Sequence, residues 1–525
     1  LRILLLGSDY FRPWLRRAGA EVVWAAQDGQ ADLVVDPDRV DLAALAAGLE
    51  PRPDCLLLTD DLGRRVLPWG LERLDLPKVY YAVDGPINFY WQRHLARLFD
   101  LVAVDQKDSA VDLSAELGRE VLWLPVAVDP DLYQGPAEGE EHDFVFVGTL
   151  APKVRPKRSA LIELLKSRYR VKVAGQRGQG WVGPEEAARL YRRARLALNE
   201  NLFPGVTTRM LEVMASGACL FSEDTGGGLG DLFRPGEHLV VFGPEDVLAQ
   251  AERYLGQEEL RRAVARAGQA EVLARHSIAH RTQTLLAALT GLDRGGRRGE
   301  AGAGSLGWAF LWAGLRWPDN NGSRRIMKAR LMFKEALVKG PQASDLFGLG
   351  LCLAAQGRLE EAAETLARAA GLDRTDWRPA LARGLVLAEI GPAEKADQVL
   401  VQAAMLAGPP AEAAALLQER LRPGQAGFHL AWGLILTRAG EGLWPGFNRS
   451  RLAPVFWGGL EHLSRALDLE PDNLTALSAL ADLLDSHNQQ AFSLPLWQRA
   501  AGLAPQDPGL ARLLETARRL SYQEG

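Results

Sequence analysis

The stretch that decides the fold runs from Asn199 to Phe242: NENLFPGVTTRMLEVMASGACLFSEDTGGGLGDLFRPGEHLVVF. An extended run enters it, a short helical pattern follows, and a second apolar run, Ala218 to Ser222, comes out. A glycine-rich turn and a second short helix complete the unit. Arg209 and Glu212 are three apart and share a helix face. Thr207 or Thr208 is placed to cap the start of that helix, and Gly217 to end it. A cation, a carboxylate and a helix N-terminus beyond a strand suit a phosphorylated, hydroxyl-rich ligand. Gly226-Gly227-Gly228, between strand and helix, can pass its N–H groups close to a sugar or phosphate.

Upstream, Gly135 to Glu141 has linker composition, and a strand follows at His142–Val147, ending in Gly148-Thr149-Leu150. The basic loop PKVRPKR comes next, with Arg155, Lys157 and Arg158 able either to neutralise a diphosphate or to form ordinary solvated surface. Gly148 allows a backbone to approach a ligand closely. Further strands are expected at Arg170–Ala174, Leu196–Asn199 and Leu239–Phe242, with helices between and after them. The helix Ser277–Leu289 is long enough to return and brace the preceding domain.

Residues 1–133 carry the same alternation. Short Val- and Leu-rich runs at Arg2–Leu6, Glu21–Trp24, Cys55–Leu58, Lys78–Ala82, Leu101–Val104 and Val121–Leu124 alternate with helical segments. That pattern predicts a parallel sheet covered on both faces. Gly7-Ser8-Asp9-Tyr10 lacks the full dinucleotide fingerprint. Asp84, after the strand KVYYAV, either holds a substrate hydroxyl, acts as a base, starts a turn or caps the following helix. His94, with Arg93 and Arg97 on the next helix, either carries protons or plays a structural part. Asp105-Gln106-Lys107 forms another candidate rim. Two such domains joined by a linker enclose a cleft, the usual place for a ligand.

With 525 residues the chain exceeds one ordinary core, and a net charge of -5 argues against a nucleic-acid partner. The three cysteines, Cys55, Cys219 and Cys352, lie far apart in apolar runs, which suits a reducing interior and shows no metal-ligand spacing. LRILLLGSDYF reads as an opening strand rather than a signal segment, and Leu306 to Trp317 is too short to span a bilayer. A cytoplasmic protein without a transmembrane segment is expected.

Four pieces carry a family resemblance: YYAVDGPINFYWQRHLARLFDLVAVDQKD, FVFVGTLAPKVRPKR, the Asn199–Phe242 stretch and HSIAHRTQTLL. Together they resemble a GT-B glycosyltransferase of the CgeB-like (spore maturation protein) branch, related to the GT4-type group, over just over half the chain. The resemblance implies two Rossmann-like domains facing a cleft: residues 1–133 on the acceptor side, and 142–290 binding a nucleotide-diphosphate sugar. It implies that Glu212 bonds the ribose, that Arg158 and Arg209 contact the diphosphate, and that Gly148, Thr149, Gly227 and Gly228 line the donor site. It implies a metal-independent hexosyl transfer with no tightly bound cofactor; an inverting path needs a base, for which Asp84 or His94 is the candidate, and a retaining path need not have one. The broader group often has a second glutamate eight residues before the ribose-binding one; this chain has Pro204 there.

Residues 291–323 are expected to be a linker, and 324–525 a solenoid. Gly350, Gly357, Ala362, Leu366 and Ala369 recur 34 residues on as Gly384, Gly391, Ala396, Leu400 and Ala403. That period is the tetratricopeptide signature. The tryptophans at 432, 444, 457 and 497 suit core or contact positions, and the insertion around Glu441 to Pro454 is a candidate contact. Such arrays recruit a protein or glycan acceptor, bind a protein partner, self-associate, or only brace an enzyme. The functions carried forward are a glycosyltransferase for a protein or cell-envelope glycan, and a non-catalytic scaffold with a decayed GT-B half. A nucleotide-sugar epimerase would need an acid–base set that the sequence does not display.

Overall fold

The computed structural model describes residues 1–36, 39–60, 67–136, 138–175, 182–292, 302–316, 322–417, 424–439, 458–487 and 489–523. The first lobe is a seven-stranded sheet of β1 (Arg2–Gly7), β2 (Glu21–Ala26), β3 (Leu33–Val34), β4 (Cys55–Thr59), β5 (Lys78–Ala82), β6 (Leu101–Val104) and β7 (Leu122–Trp123). The spatial order is β3-β2-β1-β4-β5-β6-β7, and every pairing is parallel. The second lobe has β8 (His142–Val147), β9 (Val171–Ala174), β10 (Ala194–Asn199), β11 (Cys219–Glu223) and β12 (Val240–Phe242), again all parallel, in the order β12-β11-β10-β8-β9. Helices cover both faces, which is why the central strands are apolar on alternate residues of either parity: β4 and β11 are buried along their whole length.

These are two doubly wound units. In each, the strand order reverses at one point, between β1 and β4 in the first lobe and between β8 and β10 in the second. The carboxyl ends there open a crevice where ligands of this architecture sit. The chain is therefore of GT-B type: two Rossmann-like lobes, followed by an all-helical region. β3, only two residues long, has no pattern to announce it.

The helix Ile278–Thr290 crosses back to the first lobe. Ile278, Leu285 and Leu289 are buried with Ile3, Leu5 and Phe11, and Ser277 pairs with Val128 at the crossing point. Bracing was expected of this helix, yet the boundary at 290 assigns it to the second domain; its apolar face packs on the first.

The stretch expected as linker, 291–323, is corrected in part: Ala303–Arg316 is a helix. It is apolar around its whole circumference because it is covered on both sides. One side meets the helix Gly85–Ala96 of the first lobe, where Trp312 packs edge-on against Tyr90 and Trp308 stacks on His94. The other meets the helices Gly322–Val338 and Ala343–Ala355. First-lobe residues Trp91 and Leu95 thus share one continuous apolar core with Leu306, Phe310 and Phe333.

Beyond it the helices pair as hairpins: Ala343–Ala355 with Leu359–Leu372, Arg378–Ile390 with Ala393–Leu406, and Ala426–Arg438 with Gly459–Leu469. The 34-residue period has a direct cause. A Cβ on Gly350, Gly384 or Gly433 would lie within 2.7 Å of the side chain of Leu366, Leu400 or Leu463 respectively. Each hairpin closes by a leucine seated on a glycine. Trp432 and Trp497 are core residues; Trp444, Trp457 and the insertion Glu441 to Pro454 fall outside the described residues.

The far end of the array returns to the second lobe. Gln489 donates to the Leu202 carbonyl at 2.9 Å, the Tyr522 phenol donates to Glu223 at 2.7 Å, and Arg519 pairs with Glu245. The helical region therefore touches both lobes. Among the described residues no helix is long and apolar enough to cross a membrane, and the three cysteines are buried and unbridged.

Candidate active site

The carboxyl ends of the two sheets face one another across a cavity of about 400 Å³. Asp84, Pro86, Ile87 and Gln106 line it from the first lobe; Arg155, Arg158, the turn Glu200–Gly205 and the residues Thr207–Arg209 line it from the second.

Arg209 starts the helix Thr208–Ala215 and is aimed by three partners. Its Nε donates to the Val147 carbonyl at 3.0 Å, its Nη1 to Asn199 Oδ1 at 3.1 Å, and its guanidinium lies 4.7 Å from the Phe146 ring centre. Gly148 makes room for it: a Cβ there would sit 2.9 Å from Arg209 Nη2, and the backbone φ is +149°. The helix start lacks the expected cap. The Thr207 hydroxyl donates to Asn199 Oδ1 at 3.3 Å, so no threonine side chain accepts from the first-turn amides. An uncapped helix start beside an arginine attracts an anion.

Arg158 is differently placed from what was expected of it. Its Nε pairs with Glu200 Oε2 at 2.7 Å, its Nη2 with the Glu200 carbonyl at 3.1 Å and its Nη1 with the Thr149 carbonyl at 2.9 Å. Both side chains of the pair are buried, at 8% and 2% exposure, so this guanidinium is spent on structure. Lys157 is likewise held, 2.7 Å from Glu223. Arg155 is not: it lines the cavity, half-buried, and its guanidinium makes no hydrogen bond or ion pair to any described residue. Burial and then the neighbouring Arg158 charge depress its pKa, as expected for a cation facing other cations.

Opposite stands Asp84, whose backbone is left-handed (φ 54°, ψ 42°), a conformation that costs a non-glycine residue of order 1 kcal/mol or more. Its N–H points to Asp105 Oδ2 at 3.3 Å, and Gln106 Nε2 shares that oxygen at 3.2 Å. Asp105 is 4% exposed, its Oδ1 has no hydrogen-bond partner among the described residues, and burial followed by the Asp84 charge pushes its pKa up to about 7. The cleft thus holds two acids of different character, one half-buried on the cavity wall and one buried behind it.

Asp105-Gln106-Lys107 also latches the lobes. Gln106 donates to the Val206 carbonyl at 3.1 Å, and Lys107 pairs with Asp231 at 2.8 Å. The glycine run belongs to this latch. A Cβ on Gly227 would meet the backbone of Gly205 at 2.5 Å, and one on Gly228 the Trp123 ring at 2.7 Å. Packing accounts for both glycines; neither lines the cavity.

Glu212 accepts from the Tyr133 phenol at 2.7 Å, and burial raises its pKa despite that bond and the nearby Arg209. It stands behind Arg209 rather than on the cavity wall. Thr149 is on the exposed β8 turn, its hydroxyl 3.5 Å from the Gly175 carbonyl. His94 is not brought to the cleft at all. It stacks on Trp308 at 5.6 Å between the first lobe and the helical array, and burial holds its pKa well below the usual value. A base there would have no route to a donor in the cavity, so the His94 alternative is corrected. Sequence reasoning missed Asn199 and Tyr133, which orient Arg209 and Glu212. The one available signal was an asparagine at the end of a buried strand. Among the described residues no group of three or more His, Cys, Asp or Glu side chains is placed to hold a metal ion.

Residues 155–287 match the glycosyl transferase-like family. This is about a quarter of the chain, and it contains Arg155, Glu200, Arg209 and Glu212. The chain thus carries a glycosyltransferase-like domain. Among solved structures, sucrose-phosphate synthase from Thermosynechococcus elongatus is similar at 14% identity and a TM-score of 0.41, covering 55% of this chain and 99% of its own. Anabaena Alr3699/HepE, in complex with UDP and glucose, is similar at 16% identity and a TM-score of 0.40, covering 56% and 100%. A glycosyltransferase from Rickettsia africae is similar at 11% identity and a TM-score of 0.41, covering 55% and 97%. No curated protein matches.

Proposed function

We propose that the protein is a GT-B glycosyltransferase of the CgeB-like branch, moving a hexosyl group from a nucleoside-diphosphate sugar to a hydroxyl of a protein or cell-envelope glycan acceptor. The observation that carries this reading is Arg155. A half-buried guanidinium without a partner among the described residues, beside Arg209 and an uncapped helix start, is a cation arrangement awaiting an anion. The diphosphate of the donor supplies one, and the same charges stabilise it as it leaves without a metal.

In an inverting transfer the acceptor oxygen forms its bond to the anomeric carbon as the bond from that carbon to the diphosphate oxygen breaks. The electron pair departs with the diphosphate and the acceptor proton passes to Asp84. Asp105 behind it, charged in part near pH 7, sets how readily Asp84 takes that proton. Glu212, behind Arg209, acts by tying the Arg209 helix to Tyr133. The helical region is tetratricopeptide-like, and its contacts with both lobes favour a role in setting their separation and presenting the acceptor.

The test is calorimetric titration of the full chain with purine and pyrimidine nucleotide sugars, followed by detection of nucleoside diphosphate release with candidate acceptors. Binding of one donor class with dependence on Arg155 supports the reading. A folded protein that binds none of them supports the scaffold alternative instead.

A further inference from the structure

A second cavity lies outside the cleft. About 500 Å³ lies in the seam between the first lobe and the helical array, on the half of the helix Gly85–Ala96 remote from Asp84. Its wall is made by Arg93, His94 and Arg97 from that helix and by Trp308, Trp312, Asp345 and Trp377 from the array. Asp84 and His94 are ten residues apart, roughly 15 Å along the helix axis, so nothing bound here meets the donor cavity directly.

Three observations define what fits. The charges cancel: Arg93, Arg97 and Arg378 are matched by Glu116, Asp345 and Asp376. Two of these pairs are already formed, Arg97 with Glu116 at 2.6 Å and Arg378 with Asp376 at 3.7 Å. An anion would meet the carboxylates and a cation the guanidiniums, so a neutral ligand is favoured. Second, the Asp345 carboxylate makes no hydrogen bond or ion pair with any described residue, although it is half-buried. It sits in the first turn of the helix Ala343–Ala355, where the helix dipole favours an acid, yet burial raises its pKa, so desolvation outweighs that help. His94 Nε2 on the opposite wall is also buried without a hydrogen-bond partner among the described residues. Third, Trp312 and Trp377 are half-buried and keep part of their rings on the cavity.

An unpaired carboxylate and an imidazole nitrogen, beside indole surface, ask for a ligand with both donors and acceptors and an apolar face. A sugar hydroxyl donates and accepts, so it serves carboxylate, imidazole and guanidinium alike, whereas a peptide N–H or carbonyl serves one kind only. The C–H face of a pyranose covers indole surface. We infer that the seam cavity is a second, non-catalytic binding site for a neutral oligosaccharide. The inference stands apart from the transfer reaction, because the site would hold a glycan whether or not the cleft transfers to it.

The test uses the full chain on an array of neutral, acidic and amine-bearing oligosaccharides, with calorimetry on maltoheptaose, cellohexaose and chitohexaose. Binding confined to neutral glycans is expected. Asp345→Ala should weaken it at least tenfold without lowering the unfolding midpoint, since it removes an unpaired carboxylate. Ser305→Phe, which fills the cavity from the helix Ala303–Arg316, should abolish it. Arg155→Ala, in the cleft, should leave it unchanged, so failure of the transferase reading and failure of this one are separable. No signal from any neutral glycan, binding unchanged in both seam variants, or preference for acidic glycans or a peptide would overturn it.

Discussion

Two arginines separated by one turn of chain make opposite predictions, and the contrast tests the site directly. Arg155 has no described protein partner, so Arg155→Ala should move stability by no more than about 0.5 kcal/mol. If it contacts the donor diphosphate, its loss removes a charge-assisted hydrogen bond of about 1.5–3 kcal/mol, which weakens donor binding roughly 10- to 150-fold. Arg158→Ala should do the reverse. It strands Glu200, whose side chain is 2% exposed, and breaking a buried pair in that way costs about 3–5 kcal/mol of stability. Denaturant unfolding measures the first quantity and calorimetry with the best donor measures the second. The reasoning fails if Arg155→Ala destabilises as much as Arg158→Ala, or if donor affinity is the same with and without Arg155.

Three further outcomes follow from the geometry. Asp105 has its folded pKa raised to about 7 against an unfolded value near 3.9, so the folded state binds the extra proton and stability falls as pH rises through that window. The stability of wild type relative to Asp105→Asn should therefore drop by up to about 4 kcal/mol between pH 4 and pH 8; a difference independent of pH rejects the assignment. Gly148→Ala should displace the Arg209 head group from the Val147 carbonyl and Asn199, cutting donor affinity by about 1–2 kcal/mol while the lobes stay folded, as circular dichroism and calorimetry together would show. A chain ending at residue 292 should lose solubility or unfold at much lower denaturant, because Trp91 and Leu95 share their core with Leu306 and Phe310; full stability of that fragment would refute the shared core.

How much of this was legible in the sequence depends on whether the signal was local. Parallel strands announce themselves because both faces are buried, so short runs such as CLLLT and LVAV need only their own residues to be read. The glycine–leucine closure of the helical hairpins repeats at a fixed distance, and Gly350 with Leu366 predicts Gly384 with Leu400. The site was legible only as a neighbourhood. That Arg158 rather than Arg155 is consumed by Glu200 depends on a contact across 42 residues of chain, and no local pattern distinguishes the two. Thr207 shows the same limit: it stands where a cap belongs, yet Asn199 competes for its hydroxyl.

The helix Ala303–Arg316 carries the most consequence of the features missed, and its signal was present. A helix apolar on every side has to be covered on every side. Reading AGSLGWAFLWAGLR as a linker ignored that constraint. Accepting it forces the array onto the first lobe, and the Tyr522–Glu223 and Gln489–Leu202 bonds then fix the other end on the second. Since Leu202 lines the cleft cavity and Glu223 holds Lys157 near Arg155, the array is coupled at its distal end to the wall that carries Arg155, and at its other end to the first lobe. Any change that shifts the helical hairpins must therefore alter either the spacing of the lobes or the set of that wall. An acceptor that binds along the array would reach the chemistry through the fold itself.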